Sequence, residues 1–325
     1  MKILIINGVI NCKFDITKLN GFTRPIYQLY LALSSKLNVK ILSYNDNVII
    51  DIDDCIKFYN KTIRSFSPDI IINFENALSN LLFDVKNIPT IRYLHVTPKE
   101  YKKKSSKAPY RLSWNEKIQN DISSHFVFCS KAHLKKTEKK FKRPHKVSIC
   151  FPTSPMIDVL NYSHEKILEP KDFMITISRI DRGKQPFFAN RYYSEKSLCF
   201  IPEIPEKNIG KIYSGIIHQE IMNKLRKAKF SVVANASYDA FPSVILESGV
   251  RGIPILCPNK INEYNPLYEA YPEWARFYVN NKNLKNIYES TSFNLNKRIK
   301  LSNIIREKYS QDNFIQQWYN VFDRL

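Results

Sequence analysis

The sequence predicts an α/β fold of two successive doubly wound units, and three features predict it. Apolar runs alternate with helix-period segments along the chain; the runs are apolar on both faces; and the pattern stops at a polar, Pro-bearing stretch, residues 151–171, then restarts. Strands apolar on both faces suit a parallel sheet covered on both sides, with the helices as crossovers. A chain of 325 residues has room for two such domains.

In the first half the candidate strands are residues 2–7, 39–43, 70–74, 90–95, 125–129 and 146–150. Helical stretches lie between them, among them 24–37, with Ile26, Leu29, Leu31 and Leu33 apolar, and 53–65. In the second half the strands are 173–177, 198–201, 211–213, 230–234 and 253–257. The boundary is expected at 160/161, with a cleft between the units and ligands at the carboxyl ends of strands. A last helix opens near Ser310-Gln311-Asp312-Asn313-Phe314; its stripe of Phe314, Ile315, Trp318, Tyr319 and Phe322 is expected in a core, packed back on the first domain.

Composition excludes several classes. A hydrophobic fraction of 44% with 25% charged residues is that of a soluble globular protein. No run approaches the eighteen apolar residues of a membrane-spanning helix. The start, Met1 to Gly8, is too short in apolar residues for a secretory signal and reads as a buried first strand. The six cysteines, Cys12, Cys55, Cys129, Cys150, Cys199 and Cys257, show no paired spacing, so they are expected as small buried thiols in a reducing, cytoplasmic setting. The histidines form no HxxxH or HExxH pair, and no metal site is expected.

Charge points to a partner. Fifty Lys+Arg against 30 Asp+Glu give +20, and residues 99–146 alone hold fifteen basic against four acidic side chains. Such a field attracts a polyanion, either nucleic acid or an anionic membrane surface. A Lys-rich, Asn- and Ile-rich composition is also what a biased genome produces.

The chemistry concentrates in Ser237-Tyr238-Asp239-Ala240-Phe241-Pro242-Ser243-Val244, Ile245-Leu246-Glu247-Ser248-Gly249 and Val250-Arg251-Gly252-Ile253-Pro254. Pro242 suits the first helical position and Gly252 the position past the helix end. The helix that opens at Phe241, Pro242, Ser243 and Val244 would turn its unpaired N–H groups, Pro242 having none, and a positive dipole end to a diphosphate. Asp239 before the helix can accept from sugar hydroxyls, and Glu247 within it from a ribose diol.

This stretch resembles the E-x7-E signature of retaining GT-B glycosyltransferases, especially glycosyltransferase family 4, where E-G-F-P-x-x-x-x-E-A precedes G-x-P-V. Asp239 stands for the first Glu and Ala240 for the Gly; the shorter carboxylate fits a different donor sugar or a weaker role for Asp239. Upstream, Ile177-Ser178-Arg179-Ile180-Asp181-Arg182-Gly183-Lys184 is similar to the family's G-R-L-x-x-x-K-G segment. Arg179 and Lys184 would hold the donor diphosphate, the fixed cations that a leaving nucleoside diphosphate needs, without a metal ion. Tyr213-Ser214-Gly215 looks like the family's F-x-G turn, Gly215 letting backbone approach the nucleotide. Asn20-Gly21-Phe22 replaces a Gly-Gly loop, giving Gly21 a phosphate-facing place, and His95 matches a position near the donor sugar. Phe126-Val127-Phe128-Cys129-Ser130 resembles the segment that closes the first domain.

The resemblance covers nearly the whole chain, most strongly the second half. It implies a GT-B fold of two Rossmann-like domains, a nucleotide-sugar donor, UDP being the usual nucleotide, and retention of configuration without a close carboxylate pair.

In such enzymes the first domain binds the acceptor, and here Lys102, Lys103, Lys104, Lys107 and Arg111 are interleaved with Tyr101, Tyr110 and Trp114. Cations with stacking aromatics suit DNA whose modified base is flipped out for reaction. The run Trp274 to Asn281 also looks like a stretch of the phage enzymes that glucosylate 5-hydroxymethylcytosine. The expected acceptor is therefore 5-hydroxymethylcytosine in DNA. The alternatives are a lipid-linked or envelope glycan reached from an anionic membrane surface and a non-catalytic nucleic-acid-binding protein.

Overall fold

The computed structural model describes residues 1–7, 23–42, 52–74, 87–94, 125–138, 146–150, 166–178, 185–201, 211–213, 218–234 and 240–325. The chain divides into two compact units, Met1–Pro155 with Gln311–Leu325, and Met156–Ser310.

The first unit runs β1 (Lys2–Asn7), α1 (Thr23–Ser34), β2 (Asn38–Leu42), α2 (Ile52–Phe66), β3 (Ile70–Phe74), β4 (Thr90–Leu94), β5 (His125–Phe128), α3 (Lys131–Thr137) and β6 (Lys146–Ile149). Its six strands pair in the order β2-β1-β3-β4-β5-β6, every pair parallel. The central strands β3, β4 and β5 are buried at every residue, as a sheet covered on both faces requires. Strand β2, at the edge, alternates exposed Asn38 and Lys40 with half-buried Val39 and Ile41.

Helix α2 shows how pattern becomes packing. Tyr59 and Ile63, one turn apart, lie on Leu4, Ile6, Leu42 and Ile71 of the sheet. Burying side chains of that size stabilises by about 1.5–3 kcal/mol each. The helix ends where Ser67 turns into the left-handed region at φ 47°, its N–H bonding Ile63 O at 2.9 Å, with Pro68 next.

The second unit runs β7 (Lys171–Ile177), α4 (Phe188–Tyr192), β8 (Ser197–Phe200), β9 (Lys211–Tyr213), α5 (His218–Leu225), β10 (Ala228–Val232), α6 (Ser243–Gly249), β11 (Ile255–Cys257), α7 (Pro266–Ala270), β12 (Arg276–Tyr278), α8 (Leu284–Ser290) and α9 (Leu295–Lys308). Its strands are also parallel throughout, in the order β12-β11-β10-β7-β8-β9. One face carries Met174, Phe230 and Val232 under Tyr193 and Tyr288; Ile175, Ala228 and Ile253 cluster with Met222 and Leu225 of α5.

The last helix, α10 (Gln311–Phe322), belongs to the first unit. It buries Phe314, Trp318 and Val321, the Trp318 ring 5.7 Å from that of Tyr93, while Ile315, Tyr319 and Phe322 are half-buried. Beyond it Arg324 O accepts from Lys146 Nζ at 2.8 Å, and its guanidinium reaches Ser148 Oγ at 3.3 Å. Ser148 Oγ is also 2.9 Å from His125 Nε2. Burial, then the charges of Arg324 and Lys146, push the His125 pKa down to about 4, so this imidazole is neutral at ordinary pH.

The doubly wound architecture expected from the apolar runs is the observed one. Three local readings change. Residues 253–254 are not strand, because Ile253 closes the end of α6 and Pro254 has no N–H to donate. Pro242 stands one residue before α6 with ψ 127°, not within it. Strand β12 falls in the segment read only as resembling phage enzymes.

Candidate donor site at the carboxyl edge of the second sheet

In the second sheet β7 and β10 are neighbours, with Thr176 opposite Val232. From β7 the chain moves to β8 on one side, and from β10 to β11 on the other. That reversal is a topological switch point, where open α/β sheets hold ligands beyond the strands' carboxyl ends. The two strands end at Ile177 and Val232. In sequence, Arg179 and Lys184 follow the first, and Asp239 follows the second.

Of the residues assigned to the site, Phe241, Pro242, Ser243, Val244 and Glu247 are described. Phe241, Pro242 and Ser243 are half-buried at the entry to α6, and the Phe241 ring lies 5.7 Å from that of Tyr309. From Val244 to Val250 every residue is buried, Glu247 included, at 4% exposure. A carboxylate withdrawn from water costs several kcal/mol unless it is paired or hydrogen-bonded, so Glu247 is not explained as apolar packing. Asp239, Arg179, Lys184, Gly215, Gly21 and His95 lie outside the described residues, as do Lys102, Lys103, Lys104, Lys107, Arg111 and Trp114.

The sequence gives no direct signal for what holds α6 in place. Ile253 N–H bonds Ser248 O at 3.0 Å and Gly252 N–H bonds Gly249 O at 2.9 Å, a Schellman motif with Gly252 at φ 67°. Arg298 of α9, fully buried, donates to Ala228 O at 3.1 Å, Arg226 O at 3.0 Å and Arg251 O at 3.3 Å. It thereby joins the amino end of β10 to the carboxyl end of α6. Burial pulls its guanidinium pKa down to about 10, against the opposing charge of Glu169, and it stays protonated at neutral pH. Ser302 Oγ donates to Val250 O at 2.6 Å. The Tyr271 hydroxyl lies 3.0 Å from Ile245 O and 3.2 Å from Ile253 O, bracing the helix from within its first turn to past its end. Burial raises that hydroxyl's pKa well above its ordinary value, keeping it a donor. The only trace in the sequence is helical spacing: Arg298, Leu301, Ser302 and Ile305 form the buried stripe of α9.

Among the described residues no three His, Cys, Asp or Glu side chains gather to hold a metal ion, and no helix is long and apolar enough to cross a membrane. Cys129, Cys150, Cys199 and Cys257 are buried thiols, burial raising that of Cys199 to about 12.

Two parallel sheets with helical crossovers place the chain in the GT-B fold class. No protein-family model and no curated protein sequence matches it. Solved structures of that fold do. A sucrose-phosphate synthase from Thermosynechococcus elongatus superposes with a TM-score of 0.70 at 12% identity, covering 99% of this chain and 98% of the other. HepE from Anabaena, in complex with UDP and glucose, gives 0.66 at 13% identity over 100% of both chains. AviGT4, a glycosyltransferase of avilamycin A biosynthesis, gives 0.64 at 9% identity over 100% and 97%. At such identities the likeness is one of fold.

Proposed function

We propose that the protein is a retaining glycosyltransferase that moves a sugar from a UDP-sugar to the hydroxyl of 5-hydroxymethylcytosine in DNA. The observation that carries glycosyl transfer is the buried Glu247 on the helix that follows the switch-point strand β10. Support for a UDP-linked donor comes from HepE, a protein of the same fold solved with UDP-glucose.

In this reading Glu247 accepts hydrogen bonds from the ribose hydroxyls and Asp239 from the sugar. Gly215 and Gly21 let backbone approach the nucleotide and phosphates, and His95 lies by the donor sugar. The bond between the anomeric carbon and the β-phosphate oxygen breaks as Arg179 and Lys184 meet the growing diphosphate charge. The acceptor oxygen attacks the same face, and its proton passes to the released phosphate oxygen, so configuration is retained and UDP leaves. With two fixed cations at the phosphates, the mechanism requires no metal ion. Residues 102–114, basic and aromatic, would receive the DNA.

The test incubates the protein with radiolabelled UDP-sugars and, separately, hydroxymethylated DNA, plain DNA or liposomes carrying lipid-linked sugar. Label is expected in hydroxymethylated DNA alone. Label in lipid and none in DNA would replace this acceptor with an envelope one. Salt-sensitive DNA binding without any transfer would point to a non-catalytic binding protein.

A further inference from the structure

Helix α2 carries a feature that the donor site does not use. Its apolar side, Tyr59 and Ile63, is spent on the sheet of the first unit. Its outer side borders an open groove of about 570 Å³ lined by Lys57, Asn60, Lys61, Arg64 and Ser65. The described lining side chains are cationic or neutral polar, and Lys57, Lys61, Arg64 and Ser65 are exposed.

We propose that this groove docks the phosphodiester backbone of a nucleic-acid duplex. The proposal rests on the DNA-acceptor reading and supplies it with a second, non-catalytic contact. Lys57, Lys61 and Arg64 stand at i, i+4 and i+7, hence on one face, and span about 10 Å at ~1.5 Å per residue. Over about that length one strand of a duplex presents roughly three phosphates along its axis. Three cations in a row therefore meet three anionic groups, with Asn60 and Ser65 as neutral hydrogen-bonding partners beside them. An anionic bilayer fits this face less well. Interfacial helices lay an apolar face into the acyl boundary, whereas among the described side chains of α2 Tyr59 and Ile63 are buried and Phe66 half-buried, leaving Phe58, 41% exposed. The chain's net charge of +20 supplies long-range attraction, while the groove supplies a place for it to act.

The test compares the wild-type protein with a K57Q/K61Q/R64Q variant and a charge-matched control, K282Q/K285Q/K297Q, whose residues are exposed on the second unit. A single K61E variant guards against a folding defect in the triple, and circular dichroism reports the fold of each. Binding of a fluorescent 20-base-pair hydroxymethylated duplex is followed by anisotropy over a range of salt. The α2 triple variant is expected to bind at least about tenfold more weakly at ~0.1 M salt, with the salt slope reduced by about 2–3. The control is expected to stay within about threefold of wild type.

Wild-type binding in the α2 variants would overturn the proposal. So would equal weakening in the control, which would mean a diffuse field rather than a docking groove. Binding confined to phosphatidylglycerol vesicles would also overturn it. Transfer of labelled sugar to the same duplex, measured in parallel, separates the two readings. Docking through α2 without transfer would end the acceptor assignment and leave the groove standing. Transfer that ignores the α2 changes would do the reverse.

Discussion

Replacing Lys184 by alanine is expected to lower turnover with a UDP-sugar about 10²–10³-fold, the usual effect of removing one fixed charge-stabilising group at a developing anion. When the bond between the sugar and the β-phosphate oxygen breaks, that oxygen gains charge, which fixed cations stabilise. Arg179 and Lys184, which follow β7 in the sequence, are the cations proposed to meet that charge. A side chain acting mainly on that charge contributes to the rate and little to folding. The thermal midpoint should therefore stay near the wild-type value while kcat falls. Near-normal turnover in the K184A variant would remove this residue from the site.

The second large effect is on stability. Gly252→Ala is expected to destabilise the second unit by about 3 kcal/mol, combining the cost of a left-handed non-glycine residue with that of steric overlap. Gly252 sits at φ 67°, and a Cβ there would lie 2.2 Å from Arg298 O and 2.6 Å from its carbonyl carbon. Both atoms are backbone, so relief requires shifting α9 itself. That shift would loosen the Arg298 bonds to Arg226, Ala228 and Arg251 and release the end of α6. Calorimetry should show the unit's midpoint lowered by about 6–12 °C. An unchanged midpoint would mean that the helix end is not held as described.

The strands were legible because they are buried on both faces. Ile-rich runs such as Ile70–Phe74 stand out from the polar segments around them. Strand β12 was not, since Arg276 and Phe277 are only half-buried, Tyr278 is exposed, and three edge residues carry no periodic signal. For the candidate site, the sequence pattern Asp239, Phe241, Pro242, Glu247, Gly252 could be read directly. The burial of Glu247 could not, because it depends on how α6 is enclosed by distant parts of the chain. Arg298 and Tyr271, which fix that helix, lie far along the sequence and resemble any other basic or aromatic residue until the backbone carbonyls they reach are known.

Central to glycosyl transfer by this chain is the proposal that the carboxyl edge of the second sheet is a nucleotide-sugar site with Glu247 on the ribose. Calorimetric titration of UDP into the wild-type protein and the E247Q variant tests this most directly, since glutamine keeps the size and removes the charge. Wild type is expected to bind UDP, and the variant to bind it about tenfold or more weakly, the loss of a charge-assisted hydrogen bond. Equal affinity in the two proteins, or no binding of UDP by either, would contradict it.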